Sequence, residues 1–370
     1  MTASSRRRFL QLALSGAAIP ILAGLAGPAM AEAPRRFAPQ PNDWQSYQML
    51  TRVNLPAGQG PAQVWLPVPK LDTDWQKTLG NRIEGNASSA SIVTDPASGA
   101  AFVHASFDGS VAPELALTSY VQTRNRVIDW TKKSPGTEDA AVLKAALRPS
   151  GSKPLDGLVA ETAATITKGA ATDLDKVRAI YGWIVTHCYR NLTTPGCGTG
   201  DVTATLTSGG LGGKCADLNG LFVALSRASG VPARDIYGVR VAPSAFGFGQ
   251  LGAKTEVITA AQHCRAEVYL ADYGWVAMDP ADVLKVMRAE TDRWIQDPGD
   301  PVVSAVNAAL FGNWEGNWVG FNTAEDVTLA GRDGRLPFLM YPQGRIGTHN
   351  LDELDAKGFA YQITAKPLSA

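Results

Sequence analysis

The sequence predicts an α+β chain, with a β-sandwich-like domain ahead of a mixed core, and three observations lead there. Between Trp44 and Val127, short segments alternate apolar and polar residues ("YQMLTRVNL", "AQVWLPVP", "SASIVTD", "AAFVHASF", "ELALTSYVQTRNRV") and are separated by Gly, Pro, Asn and Asp. Half-buried strands joined by turns read this way. From about residue 154 the apolar spacing changes to three and four, which is helical. From Gln262 to Val283 two more strand patterns flank the turn "ADYG".

The chain starts with the basic cluster Arg6-Arg7-Arg8, then a mildly apolar stretch, Phe9 to Leu25, then Ala29-Met30-Ala31. That is the layout of a signal peptide over 1–31, too short and too weakly apolar for a membrane span. "SRRRFL" fits the twin-arginine export pattern better than a Sec signal with a chance arginine pair. No cysteine lies near the cleavage point, which argues against a lipoprotein anchor. The expected location is periplasmic or otherwise exported. Removing three arginines and no acids leaves 31 basic against 34 acidic residues, a net charge of −3. Such a balance points to neither nucleic acid nor an anionic membrane surface as a partner. The remaining length suits one large or two ordinary domains.

The expected organisation is a flexible proline-rich lead (32–43), the β domain (44–130), a polar connector (131–153), the core with C-terminal strands (154–345) and a C-terminal tail (346–370). In the β domain no catalytic constellation is visible. His104 reads as a structural histidine and Trp65 as core.

In the core, "PLDGLVAETAATITKG" is one helix, ended by Gly169. Thr172 or Asp173 can cap the next, "DLDKVRAIYGWIVTHCYR". A loop rich in Gly and Thr then leads to Cys215. Beyond it Leu218, Leu221, Phe222 and Leu225 form one helical stripe. Gly230 ends the helix and Val231-Pro232 prevents continuation. Cys215 therefore lies in a first helical turn, behind Gly212-Gly213 and beside Lys214. Unpaired N–H groups there favour a thiolate and can receive an oxyanion. A buried structural thiol is the plainer alternative for an isolated cysteine.

The hairpin favours the catalytic reading. His263, Arg265, Glu267 and Tyr269 face one way on its first strand, while Cys264, Ala266, Val268 and Leu270 face the other. Asp279 follows the second strand, within about one diagonal cross-strand step of His263. A carboxylate can then orient an imidazole that serves a thiol. Singly, His263 could be a surface strand histidine and Asp279 a turn residue before Pro280.

"GKCADLN" with "LFVALSRASGVPAR", then His263 and "AEVYLADYGWVAMDPADV", resembles the transglutaminase-like superfamily of papain-related cysteine enzymes over about residues 155–285. The helix "DKVRAIYGWIVTHCYR" fits as well. The resemblance implies Cys215 as nucleophile, His263 as general base and acid, and Asp279 as orienting carboxylate. It implies an α+β core in which the cysteine-bearing helix packs on an antiparallel sheet. One departure stands out: the family commonly has an aromatic residue two positions after the histidine, and this chain has Arg265. An arginine there makes Arg265 a substrate-site candidate for an acidic group. Tyr189 and Trp183 are candidates for a second oxyanion donor, with core packing as the alternative.

Cys188 and Cys197, nine residues apart, could pair in a disulfide after export; a metal site with His187 is the other option, although the spacing is not C-x-x-C. Cys264 should be a buried thiol. Residues 243–261 are loop-like and would suit a cover over an acyl site. "VLKVMRAETDRWIQD" reads as helix, and "NWEGNWVGFNTAEDVTL" and "FLMYP" as further strands of the core sheet. Trp294, Trp314 and Trp318 could stack on sugars but read first as packing residues.

These features converge on an exported thiol enzyme acting on a peptide or protein amide, with hydrolysis favoured over transfer to an amine and no cofactor required. The rivals are an idle scaffold of the same fold, or a carbohydrate-binding envelope protein. Calcium dependence and oligomeric state are not legible.

Overall fold

Alternating burial along Gln45–Asn54 makes the first strand, β1, and places Tyr47, Met49, Thr51 and Val53 inward. The computed structural model describes residues 35–369; the expected signal peptide and the first three residues of the lead lie outside the described residues. After β1 come β2 (Ala62–Pro67), β3 (Gln76–Gly85), β4 (Ser89–Thr94), β5 (Ala101–Phe107) and β6 (Glu114–Thr123). Helices α1 (Ala140–Ala145), α2 (Gly157–Ile166) and α3 (Asp173–His187) follow, then β7 (Tyr189–Arg190), α4 (Val202–Thr207), β8 (Gly212–Gly213) and α5 (Cys215–Ala228). Next are β9 (Ala233–Arg240), β10 (Gln262–Leu270), β11 (Gly274–Met278), α6 (Pro280–Ala289) and α7 (Ser304–Ala309). The chain closes with β12 (Phe311–Gly312), β13 (Trp318–Asn322), β14 (Glu325–Thr328), β15 (Arg335–Phe338), β16 (Gln343–Ile346), β17 (His349–Asn350) and β18 (Tyr361–Leu368). No helix among the described residues is long and apolar enough to cross a membrane.

The expected α+β architecture is present. The front half contributes to two antiparallel sheets, ordered β18-β1-β6-β3 and β17-β16-β2-β5-β4. Met49, Val53, Leu117 and Val121 of one sheet share an apolar core with Val64, Leu66, Val103 and Ala105 of the other. The core sheet is ordered β12-β11-β10-β9-β13, and α5 packs against β9 and β10. Thr172 caps α3 in a reciprocal pair with Asp175, which satisfies helix-end donors the sequence left open between Thr172 and Asp173.

The C-terminal segment differs from expectation. Residues 346–370 are not a tail: β18 runs antiparallel to β1 from Ser46↔Leu368 to Val53↔Tyr361. Its inward residues Tyr361, Ile363 and Ala365 complete the front core, and the pairing covers an edge β1 would otherwise expose. The later strands also divide. β12 and β13 join the core sheet, β16 pairs with β2, and β14–β15 form a separate ribbon. That ribbon buries Trp65 with Phe102, Val327 and Leu336, so Trp65 is core, stacked on His104 with ring centroids 5.3 Å apart. Helix α6 stops at Ala289, short of the predicted span, and Leu339 to Tyr341 are buried without strand pairing.

The flexible lead and the end of the polar connector are both held. In the lead, Phe37 is buried against Phe246 and Phe248. At the end of the connector Lys153 is 1% exposed, and its Nζ lies 3.1 Å from Asp235 Oδ2 and 2.9 Å from Glu325 Oε1. Burial alone would lower the Lys153 pKa, but these two carboxylates outweigh it and raise it. Removing a cation from such a site strands the charges it neutralised. Lys153→Met is therefore expected to lower the unfolding free energy by about 3–5 kcal/mol, read by urea titration; a loss under about 1 kcal/mol would show that water replaces the ammonium.

Candidate active site

Cys215 opens α5, with Lys214 as its N-cap residue. Two short parallel strands bring the chain there: Tyr189 pairs with Gly212 and Arg190 with Gly213. A side chain at Gly213 would collide with Asp217. Asp217 fastens the approach, accepting from the N–H groups of Thr199 (3.0 Å), Gly200 (2.9 Å) and Lys214 (3.0 Å). The Gly-rich loop is thus pinned to the start of the cysteine helix. Ala216 N–H is taken by the Cys197 carbonyl at 2.9 Å. Cys215 itself is 2% exposed. Its thiol lies near those of Cys197 and Cys264; Cys197 Sγ donates to the Gln262 carbonyl at 3.3 Å and Cys264 Sγ lies 4.0 Å from Met340 Sδ. Hydrogen bonds from Cys215 and Cys264 hold the Cys197 thiol well below its ordinary pKa against burial, with Arg190 helping, whereas burial pushes Cys264 well up.

The hairpin forms as predicted, with Ala266 opposite Met278 and Glu267 opposite Ala277. Continuing this register sets Asp279 one diagonal from His263, and Nε2 of His263 lies 2.8 Å from Asp279 Oδ2. Asp279 also caps α6, accepting from Asp282 N–H at 3.1 Å. Both partners are buried. The His263 ring uses Nε2 for this bond, which leaves Nδ1 for proton exchange with a thiol or a leaving group. Burial lowers the His263 pKa and Arg240 opposes a proton there, but Asp282 and Asp279 together raise it. The site therefore favours the imidazolium that a thiolate partner requires.

Three neighbours of this pair escaped the sequence reading. Asp282 Oδ2 lies 3.4 Å from His263 Nε2. Arg240 Nη2 reaches both oxygens of Asp282, at 2.6 and 2.7 Å, and its charge, working against burial, holds that carboxyl far below the usual carboxylate range. Asn219, one turn along α5 from Cys215, donates to Asp279 Oδ1 (3.1 Å) and to the Cys264 carbonyl (2.9 Å). It ties the cysteine helix to the carboxylate directly. "MDPADV" carries the signal for Asp282: a capping Asp before proline puts the acid three residues on into the same helical turn. His263, Asp279 and Asp282 are also close enough to hold a metal ion, but the guanidinium on Asp282 opposes a cation there.

Other candidates are placed elsewhere. Arg265 does not face an open site: it is 3% exposed, sandwiched 5.3 Å from the Trp314 ring and 4.9 Å from that of Trp318. Its Nη1 donates to the Glu315 carbonyl at 3.0 Å, and its Nε lies 3.7 Å from Asp279 Oδ2. The two indole rings cover this face of β10, so the arginine packs among aromatics and backs the carboxylate. Trp314 and Trp318 are core residues, whereas Trp294 is exposed. Trp183 stacks on His187 within α3. The Tyr189 ring meets Trp294 and the glycines at 210 and 212. Neither Trp183 nor Tyr189 lines the main cavity. All four cysteines are free thiols, so the Cys188–Cys197 pairing that the spacing allows is not formed. Cys197 turns toward Cys215, while Cys188 lines a separate cavity of 240 Å³ beside Tyr189, its thiol pushed up to about 12 by burial.

The main cavity, about 550 Å³, is lined by Cys197, Lys214 and Gln262 among others. Lys214 and Gln262 immediately precede Cys215 and His263, and Arg240 reaches from the cavity wall to Asp282, so the cavity borders the pair, although neither Cys215 nor His263 lines it. Part of the 243–261 loop makes one wall. It is held by Arg240 and Asn317, which both donate to the Leu251 carbonyl.

Comparison with known proteins agrees with this fold. Residues 160–280 match the transglutaminase-like superfamily. A protein of Haemophilus influenzae that carries no functional description is 32% identical over 342 residues, spanning 88% of this chain and 90% of its own. A candidate cysteine protease from Cytophaga hutchinsonii shares the fold, with a TM-score of 0.50 at 17% identity, over 88% of this chain and 99% of that one. The periplasmic domain of TgpA from Pseudomonas aeruginosa is a looser match, with a TM-score of 0.36 at 18% identity, over 67% of this chain and 91% of that one. The chain belongs to the transglutaminase-like superfamily.

Proposed function

We propose that the chain is an exported cysteine-dependent acyl-transfer enzyme that cleaves amides, with Cys215 as nucleophile, His263 as acid and base, and Asp279 as the orienting carboxylate. The observation that carries this reading is the buried 2.8 Å contact between His263 Nε2 and Asp279 Oδ2, tied by Asn219 to the helix that Cys215 opens. Export rests on the composition of residues 1–31.

In the proposed reaction the Cys215 sulfur forms a bond to the amide carbonyl carbon, and helix N-terminal N–H groups receive the oxyanion. The C–N bond then breaks as His263 passes a proton to the departing amine. A thioester remains. Water attacks it, His263 accepts the water's proton, and the C–S bond breaks to return the thiol and a carboxylic acid. An amine in place of water would give transamidation. Hydrolysis is favoured because water needs no acceptor site of its own. The cations around the cavity mouth also repel a protonated lysine-like acceptor.

The test incubates the mature protein with end-blocked peptides and a fluorescent primary amine, reading products by mass. Hydrolysed peptide should exceed amine adduct, and both should vanish in Cys215→Ala. Products that survive Cys215→Ala would overturn the thiol reading; adducts in excess would make the enzyme a transamidase.

A further inference from the structure

The main cavity is crowded with positive charge in a chain that has no net positive charge. Five cationic side chains line it, Arg190, Lys214, Arg240, Lys254 and Lys285, against a single acid, Glu353. Of these, only Arg240 is committed to a carboxylate, the buried Asp282. Arg190, Lys214 and Lys285 are half-buried and form no ion pair among the described residues. They come from three separate elements, β7, the cap of α5 and α6, so the fold converges them and no local charge run does. Their crowding has a cost. Burial first, then repulsion from Arg240 and Arg190, pushes the Lys285 ammonium down to about 8. Burial and Arg190 likewise lower Lys214. A neutral donor joins them: Gln262 Nε2 is buried without a hydrogen-bond partner, on the residue next to His263. Unpaired cations lining one space, with an orphaned N–H in its wall, are satisfied together by an anion that also accepts hydrogen bonds.

We propose that this cavity binds a carboxylate of the amide substrate, so that the enzyme selects peptides bearing an acidic group beside the bond that Cys215 attacks. The proposal rests on the proposed function for its placement of the scissile bond, but carboxylate binding itself needs no chemistry from the thiol. The carboxylate can come from an acidic side chain or from a free chain terminus. Lys214, Lys285 and Gln262 are the positioning groups, and Arg190 completes the charge.

The test measures binding to the otherwise intact mature protein carrying Cys215→Ala, by calorimetry, so that no turnover is needed. Four tetrapeptides are compared: Ac-Ala-Ala-Glu-Ala-NH₂, its Gln counterpart, Ac-Ala-Ala-Ala-Ala-OH and its amide. At least one carboxylate-bearing peptide should bind about tenfold or more tighter than its neutral partner. Preference for the Glu peptide would assign a side-chain carboxylate, and preference for the free acid a chain terminus. Lys214→Gln with Lys285→Gln should erase the difference while melting at the parent temperature; Gln262→Ala serves if that pair fails to fold. Equal binding of charged and neutral peptides, binding by neither, or a preference that survives these substitutions would overturn the proposal. The thiol reading fails separately, if Cys215 in the wild-type protein alkylates as an ordinary thiol while carboxylate binding persists.

Discussion

Cys215→Ala is expected to reduce amide turnover by about 10⁴-fold or more while leaving the fold intact. The sulfur is the only protein group in the proposed reaction that bonds to substrate carbon, so nothing else can form the acyl-enzyme. What remains is rate enhancement from binding and from helix N–H groups. His263→Ala should cost nearly as much, because a thiolate without its imidazolium cannot protonate the leaving amine. Adding it to Cys215→Ala should cost little more, since residues acting as a unit are not additive. Stability should change by less than about 1–2 kcal/mol, because the change removes one sulfur atom from a site packed by Cys197 and Cys264. Turnover and melting temperature, measured on the same preparations, separate a chemical loss from an unfolded protein.

Arg240→Leu is expected to produce the largest loss of stability near the site, about 3–5 kcal/mol. Arg240 is buried and bonds both oxygens of Asp282, so leucine leaves a buried carboxylate without its cation. The pH dependence has a definite sign. Asp282 is held well below its ordinary pKa, so the folded state binds fewer protons than the unfolded one. Its contribution is present above the unfolded value, about pH 4, and is lost as pH falls below it. The stability gap between wild type and Arg240→Leu should therefore narrow below about pH 4. His263 has the opposite sign: its raised pKa contributes stability below about pH 6.5 that disappears as pH rises through the folded value. Without Arg240 the imidazolium loses a repulsive neighbour, and its titration should move to higher pH. Denaturant titrations across pH check the first statement, and imidazole titration by NMR the second.

The parts of the site legible in the sequence are those fixed by local pattern. Helical spacing after Cys215, a glycine pair before it and a two-strand turn are each written within a few residues, and they locate Cys215, His263 and Asp279. What was not legible depends on distant pairings. Nothing in "YQITAKPL" says that its partner is the first strand, at the other end of the chain. For Arg265, its own strand says only which face it shares with His263, which makes it a substrate-site candidate from sequence. That Trp314 and Trp318 cover that face is decided by a strand far along the chain. Arg240 is the last residue of an ordinary strand, and only the fold carries it to Asp282. Likewise the spacing of Cys188 and Cys197 permits a disulfide, while the pinning of the Gly-rich loop by Asp217 turns Cys197 to Cys215 instead.

The most direct test of the account is the alkylation rate of Cys215 against pH, read by peptide mass on mature protein under reducing conditions, for wild type and His263→Ala. An activated thiolate paired with an imidazolium predicts fast alkylation that persists well below about pH 8 and slows sharply in His263→Ala. Slow alkylation with the pH dependence of an ordinary thiol in both proteins would contradict it, and would leave the transglutaminase-like fold as a scaffold.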